Sequence, residues 1–269
     1  MTQARVLITG AGSGLGQALA QRWAAAGAAV ACADIDPARA GHTCAQLAGS
    51  GHLALEVDVA GDASMQRLHG AVLGHWPAPL DVLVNNAGIA AGGRLVDTTI
   101  QEWRELLEIN LLGVVRGCRA FLPAMIEAGR GHVLNVASFA ALAGGPGIMT
   151  YGVSKAGVYT LSEQLRAELH GTGVGVSVAC PAFFRTNLLA NWRGDARMRE
   201  VARRLTENAT DTLDQVADRI FAATARGQFL ILPTGREAMR WRLKRYAPGL
   251  YFRQLMKLVA SRRNAEPGR

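Results

Sequence analysis

Seven short apolar runs alternate with helix-length patterns along this chain, and that alternation constrains its fold more than any other feature. The runs are VLIT at 6–9, AVACAD at 29–34, LALEVDV at 53–59, DVLVNN at 81–86, HVLNVAS at 132–138, VGVSVAC at 174–180 and FLIL at 229–232. Helical patterns fall between them, near 15–26, 37–48, 62–75, 99–128, 150–170 and 211–226. Strands that are apolar throughout need cover on both faces, and strand–helix–strand crossovers onto a parallel sheet supply it. The expectation is an α/β fold. Residues 1–235 form one doubly wound, Rossmann-type domain with a seven-stranded parallel sheet, and residues 236–269 form a basic helical extension that is not an independent domain.

Composition narrows the function classes. The chain of 269 residues is 49% hydrophobic and 19% charged, which suits one buried core. The longest uncharged run, 131–154, contains Asn135, Ser138 and GGPG at 144–147, so it does not read as a membrane span. With no leader expected ahead of Arg5, the reading is a soluble, cytoplasmic protein. Cys32, Cys44, Cys118 and Cys180 lack ligand spacing, and the six histidines form no HxxxH pair. Neither a metal site nor a disulfide framework is expected. The formal charge of +8 is confined to the end of the chain: residues 1–235 hold 19 basic and 19 acidic residues, whereas 236–269 hold ten basic and two acidic. No nucleic-acid partner is expected for the body, and any electrostatic partner would meet the tail.

In a doubly wound sheet, ligands bind beyond the carboxyl ends of the strands. Thr9–Gly16, Asp34, Asp58, Asn85–Gly88, Ser138 and Pro181 all fall at such ends. The stretch ITGAGSGLGQ places Gly10, Gly12, Gly14 and Gly16 where a strand should become a helix, with Thr9, Ser13 and Leu15 between and beside them. Small residues there let backbone N–H groups approach a pyrophosphate, although a plain tight turn would use glycine too. Asp34 ends the second strand about 20 residues later, where a carboxylate would bind the ribose hydroxyls and repel a 2′-phosphate. No Arg or Lys occupies the glycine loop, so NAD is favoured over NADP. Further on, Tyr151 and Lys155 share one helix face at i and i+4. The chain has 26 arginines and three lysines, and Lys155 is the only lysine before residue 244, which suggests that a compact ammonium is needed there.

Together, TGAGSGLG, Asp34, Asp58-Val59, NNAG at 85–88, Asn110, Ser138 and YGVSK at 151–155 resemble the classical short-chain dehydrogenase/reductase family over roughly residues 4 to 235. The resemblance implies that Asp58 and Val59 hold an adenine, and that Asn86, Ala87 and Gly88 lie beside the cofactor. It also implies that Asn110, Ser138, Tyr151 and Lys155 form a catalytic tetrad. Tyr151 would be the general acid/base of hydride transfer between a nicotinamide and a carbinol carbon, its phenol lowered by Lys155 and by the oxidised nicotinamide. Ser138 would hold the substrate oxygen, Lys155 the nicotinamide ribose, and Asn110 a water that relays the proton. Pro181 and Thr186 would meet the nicotinamide carboxamide, although the family's Pro-Gly is Pro181-Ala182 here, which puts the path of that loop in question. A homodimer or homotetramer built on 99–128 and 150–170 is implied as well.

The substrate side reads as apolar. Phe139, Met149, Phe183, Phe184 and Leu188 are candidate wall residues, for a lipid-like, steroid-like or otherwise bulky secondary alcohol or ketone. Two other readings remain open: a non-catalytic NAD-binding sensor or scaffold, and a membrane-surface protein acting through its basic tail. That tail reads as two short helices broken at Pro248, ending in RRNAEPGR, which is expected to be disordered. Docking over the substrate cleft, on its own or a partner subunit, is favoured over lying on an anionic membrane.

Overall fold

The computed structural model describes residues 3–186, 189, 192–235 and 237–264. In chain order the first half comprises β1 (Arg5–Thr9), α1 (Gly14–Ala25), β2 (Ala29–Asp34), α2 (Pro37–Ala45), β3 (Leu53–Glu56), α3 (Asp62–His75), β4 (Val82–Asn85), β5 (Ala91–Gly92), α4 (Ile100–Leu107) and α5 (Gly113–Glu127). There follow β6 (Gly131–Val136), α6 (Ala140–Ala143), α7 (Met149–Glu168), β7 (Val174–Ala179), β8 (Arg193–Gly194), α8 (Ala196–Glu207), α9 (Leu213–Ala225), β9 (Leu230–Ile231), α10 (Glu237–Tyr246) and α11 (Pro248–Asn264).

All seven expected strands form one sheet in the order β3-β2-β1-β4-β6-β7-β9, every pairing parallel. Successive residues serve opposite faces, as the strand period requires. In β1, Leu7 joins the core under α3, α5 and α7, while Val6 and Ile8 join the core under α1 and α9. In β7, Val174, Val176 and Val178 take the first side and Ala179 the second. The strand order reverses between β1 and β4, so a crevice opens beyond their carboxyl ends. The glycine loop and Asn86–Gly88 both leave their strands there.

Several elements differ from expectation. The helix expected over 99–128 is interrupted by a π-helical turn at Glu108–Leu112, centred on Asn110. By length and composition Ile100–Glu127 would suffice to cross a membrane, yet Leu106, Val114, Cys118, Phe121 and Met125 are buried inside the protein. The third strand stops at Glu56, leaving Asp58 and Val59 in the following loop, and the last is shortened to Leu230–Ile231. The sequence reading missed α6, α8 and the two-stranded β5–β8 sheet. That small sheet forms because β5 lies against the segment ahead of α8: Ala91 pairs with Arg193, and the side chains of Trp192 and Met198 cover Gly92 so closely that a methyl there would overlap them.

The extension breaks at Pro248 as expected, and Pro248 opens α11, where its fixed φ and missing N–H cost nothing. It docks on its own subunit. Trp241 packs against the core beneath α7, and α10 lies on α6. Tyr251, Leu255 and Val259 are half-buried, whereas Leu250 and Leu258 are exposed. The helix continues through Arg262 to Asn264, inside the segment expected to be disordered; residues 265–269 lie outside the described ones.

Candidate active site

The glycine loop is shaped by contacts a side chain would prevent. Gly10 and Gly14 adopt φ of +66° and +54°, in the left-handed region that glycine populates freely. A methyl at residue 16 would overlap the Gly10 carbonyl and the Asn86 amide. The N-cap of α1 is Ser13, which makes no side-chain cap bond, and the first turn carries no acidic residue. The N–H groups that open α1 are thus available to an anion. Gly10, Ser13, Gly14 and Leu15 line the cleft. Thr9 is not a lining residue. Its hydroxyl donates to the Val84 carbonyl (3.4 Å) and accepts from the N–H groups of Asn86 (3.1 Å) and Ala87 (3.2 Å), because at 2% exposure it lies beneath the loop. Asn86 completes this tie, donating to the carbonyls of Thr9 and Gly10.

Asp34 ends β2 with its carboxylate fixed at the cleft wall. Its oxygens accept from the N–H groups of Gly12 (2.9 Å) and Asp36 (3.1 Å). Arg39 was missed by sequence reasoning. It sits in the first turn of α2, 3.6 Å from Asp34 and 3.0 Å from Asp36, and lines the cleft with Ile35. The signal was present: Asp36 followed by Pro37 is a helix start, and the first turn after it faces back toward the strand end. Asp58, Val59, Ala87 and Gly88 continue the lining, with Asp58 exposed and Val59 buried against Gly113.

The other end of the cleft holds the predicted tetrad. Tyr151 and Lys155 lie one turn apart at the start of α7, and both face the cleft. The Tyr151 hydroxyl faces the hydroxyl of Ser138, which follows β6. The Ser138 hydroxyl also accepts from the Ala140 N–H (3.2 Å) and donates to the Pro181 carbonyl (3.4 Å). Lys155 is buried, with its ammonium on the Val136 carbonyl at 3.0 Å. Gly88 lies between Lys155 and Asn110: a Cβ there would sit 3.1 Å from the Lys155 nitrogen and 3.0 Å from the Asn110 amide oxygen.

Asn110 is fully buried, and its amide is engaged on every donor. The oxygen accepts from the Ile89 N–H (2.9 Å), while the nitrogen donates to the Ile89 carbonyl (3.0 Å) and to Ser154 (3.1 Å). The expected water anchor is therefore not an N–H of this amide, which instead ties the loop after β4 to α7. Electrostatics differ from expectation as well. Burial raises Tyr151 above the ordinary phenol range and the Ser138 hydroxyl opposes that rise, while the Lys155 ammonium is turned to the Val136 carbonyl. Lys155 itself is pushed down to about 8 by desolvation.

The candidate substrate residues divide. Phe184 lines the cleft, as does Ile89 after β4, together with Ile109, Ala137 and Ala182. Phe139 instead is buried in the core beneath α7, and its N–H donates to the Pro181 carbonyl (2.8 Å). Met149 and Phe183 are exposed and do not line the cleft, and Leu188 lies outside the described residues. Pro181 and Thr186 line the cleft. Ala182 keeps a negative φ and donates to Thr234 (3.1 Å), which settles the path of the loop where glycine is replaced.

Comparison with known proteins agrees with this geometry. A family model described as short chain dehydrogenase matches residues 4–197. Meso-2,3-butanediol dehydrogenase of Serratia marcescens is 30% identical over 228 residues, covering 84% of this chain and 89% of that protein. The probable oxidoreductase EphD of Mycobacterium tuberculosis is 40% identical over 188 residues, 69% of this chain, and the match spans only 32% of that longer protein. A short-chain dehydrogenase/reductase from Burkholderia phymatum, solved in complex with NAD, superposes with a TM-score of 0.86 at 31% identity, covering 92% of this chain and 95% of that one. A short-chain dehydrogenase from Sphingobium yanoikuyae, in complex with NADPH, gives 0.79 at 28% identity, covering 92% and 94%. The chain belongs to the short-chain dehydrogenase family.

Proposed function

We propose that this protein is an NAD-dependent oxidoreductase that interconverts a hydrophobic secondary alcohol and its ketone. The observation that carries the reading is one cleft running from the uncapped N-terminus of α1 to Tyr151 and Ser138, both on its wall. The residues present fit a dinucleotide: free helix N–H groups for a pyrophosphate, and a carboxylate at the end of β2 for a ribose. When bound, the nicotinamide supplies the hydride donor or acceptor.

The chain's own residues would do the rest. Ser138 holds the substrate oxygen in line, and Tyr151 takes its proton during oxidation or returns it during reduction. Lys155, one turn from Tyr151, presents a cation to the ribose side of the cleft. Asn110 acts as a positioning residue through Ile89 and Ser154. Ile89, Ile109 and Phe184 in the cleft lining support an apolar substrate, because the cations lining the cleft among the described residues are Lys155 and Arg39, and Arg39 is held by Asp34 and Asp36. A series of secondary alcohols of rising apolar bulk, each assayed for NAD reduction, tests the substrate class. Specificity constants should climb with bulk, and a preference for small polar diols would overturn this part of the reading.

Asp34 supports NAD over NADP. Its carboxylate faces the cleft and would repel a 2′-phosphate, while the Arg39 guanidinium is already engaged by Asp34 and Asp36. Asp34→Ala is expected to raise kcat/KM with NADP at least tenfold and to lower it with NAD, by removing the repulsion and partly freeing Arg39. A parallel fall with both cofactors would contradict this assignment. Gly16→Ala, whose methyl would overlap the Gly10 carbonyl, is expected to weaken NADH binding at least tenfold and to destabilise the fold by about 1–3 kcal/mol, read by fluorescence titration and urea unfolding.

A further inference from the structure

A helix of four residues has no internal partner for any of its last four carbonyls and does not persist alone. The helix α6 is such a helix, and both of its ends are held from outside. At its start, the Ser138 hydroxyl accepts from the Ala140 N–H, and the Phe139 N–H donates to the Pro181 carbonyl. At its end, two side chains of the C-terminal extension take the exposed carbonyls. The Lys244 ammonium donates to the Leu142 carbonyl at 2.5 Å, and the Tyr251 hydroxyl donates to the Ala143 carbonyl at 2.7 Å. The two groups support each other, with the Lys244 nitrogen 5.9 Å from the centre of the Tyr251 ring. A cation at a helix C-terminus also has favourable dipole sense.

We propose that Lys244 and Tyr251 are positioning residues for Ser138, acting through α6 as a strut between the C-terminal extension and the reacting end of the cleft. The proposal rests on the reading of Ser138 and Tyr151 given above. Its force comes from the shortness of the strut. Ala141, Leu142 and Ala143 bond back only to the carbonyls of Ser138 and Phe139, so a shift at the far end reaches Ser138 with no intervening turn to absorb it. The helix α6 also packs along α7, which carries Tyr151, so the strut sets the separation of the two hydroxyls. The groups that act on the Tyr151 hydroxyl are Ser138 and Cys180 at the end of β7, with the Lys155 ammonium beyond them, turned to the Val136 carbonyl. Of these, Ser138 alone is attached to the strut. The basic extension thus has a use inside its own subunit.

The test uses the full chain with Tyr251→Phe, Lys244→Met and the double variant, and Tyr246→Phe on the exposed side of α10 as control. Five quantities are read: NADH affinity, kcat and KM for a secondary alcohol, the pH at which alcohol oxidation reaches half its plateau, and hydrogen exchange of the 138–144 segment. The double variant should keep NADH affinity within twofold and lose about tenfold or more in kcat, since sub-ångström to ångström misplacement carries penalties of that order. Its pH limb should move upward, because a loosened Ser138 no longer favours the Tyr151 phenolate. Exchange at 141–143 should quicken at least tenfold, and Lys244→Arg, which keeps a donor, should restore part of the loss. Tyr251→Phe removes one oxygen and keeps the ring, so it reports even if the double variant folds poorly. Unchanged kcat and pH limb in the folded variants would overturn the proposal, as would an equal loss in Tyr246→Phe. A wild-type protein that binds NADH without turnover would overturn the oxidoreductase reading instead, and unchanged exchange in the variants would then overturn the strut on its own.

Discussion

Tyr151→Phe is expected to lower kcat about 10²–10⁴-fold while leaving NADH affinity within twofold. The substitution deletes one oxygen and keeps the ring that packs at the start of α7. That oxygen faces Ser138, and it is the only hydroxyl of a tyrosine that lines the cleft among the described residues. Burial holds it above the ordinary phenol range, so at neutral pH it is a proton donor, suited to ketone reduction. Alcohol oxidation needs the phenolate, and its rate should therefore rise with pH through the titration of this group. Steady-state rates in both directions across pH, for wild type and variant, check the assignment. Retention of more than a tenth of the wild-type rate would mean that another group moves the proton.

The second large effect joins stability to activity. Lys155→Met should abolish turnover and yet stabilise the fold at pH 7 by about 1–3 kcal/mol. Desolvation pushes Lys155 down to about 8 from its ordinary 10.5. Between those values the unfolded chain binds a proton that the folded chain does not, so stability rises with pH across that window. At pH 7, below both values, the folded state bears the whole cost of a buried cation. Methionine has a similar volume and no charge, and loss of the bond to the Val136 carbonyl offsets part of the gain. Urea unfolding at pH 7 and again near pH 10 should show the gain at the lower pH and its decline at the higher. A variant less stable than wild type at pH 7 would contradict the assigned cost. A charge kept at the expense of stability, in a chain that otherwise uses arginine, fits a functional role.

The sheet was legible because each of its strands is locally apolar and the core faces need no distant information. The convergence of the glycine loop, Ser138, Tyr151 and Lys155 on one cleft was legible because they sit at strand ends or share one helix face. What was not legible depends on contacts between distant segments. The helix α8 carries the polar stretch ARMREVARRLTE, and its place is fixed by pairing of β8 with β5 and by Trp192 over Gly92, not by local pattern. The helix α6 lies in a run broken by GGPG and exists through Ser138 at one end and the extension at the other. Phe139 follows Ser138 in sequence, yet packs into the core with residues of distant elements and does not line the cleft. The π-helical turn at Asn110 likewise coincides with the embrace of Ile89, a partner 21 residues away. In each case a long-range contact overrides what the local sequence suggests.

The most direct measurement is the transfer of label from a carbinol-deuterated, hydrophobic secondary alcohol to NAD, followed by mass spectrometry of the dinucleotide in wild type and Tyr151→Phe. The account predicts deuterium in the NADH formed by the wild type, and almost none from the variant although it still binds NADH. Tight dinucleotide binding with no label transferred to either NAD or NADP, across alcohols of graded bulk, would contradict it and leave a nucleotide sensor as the better description.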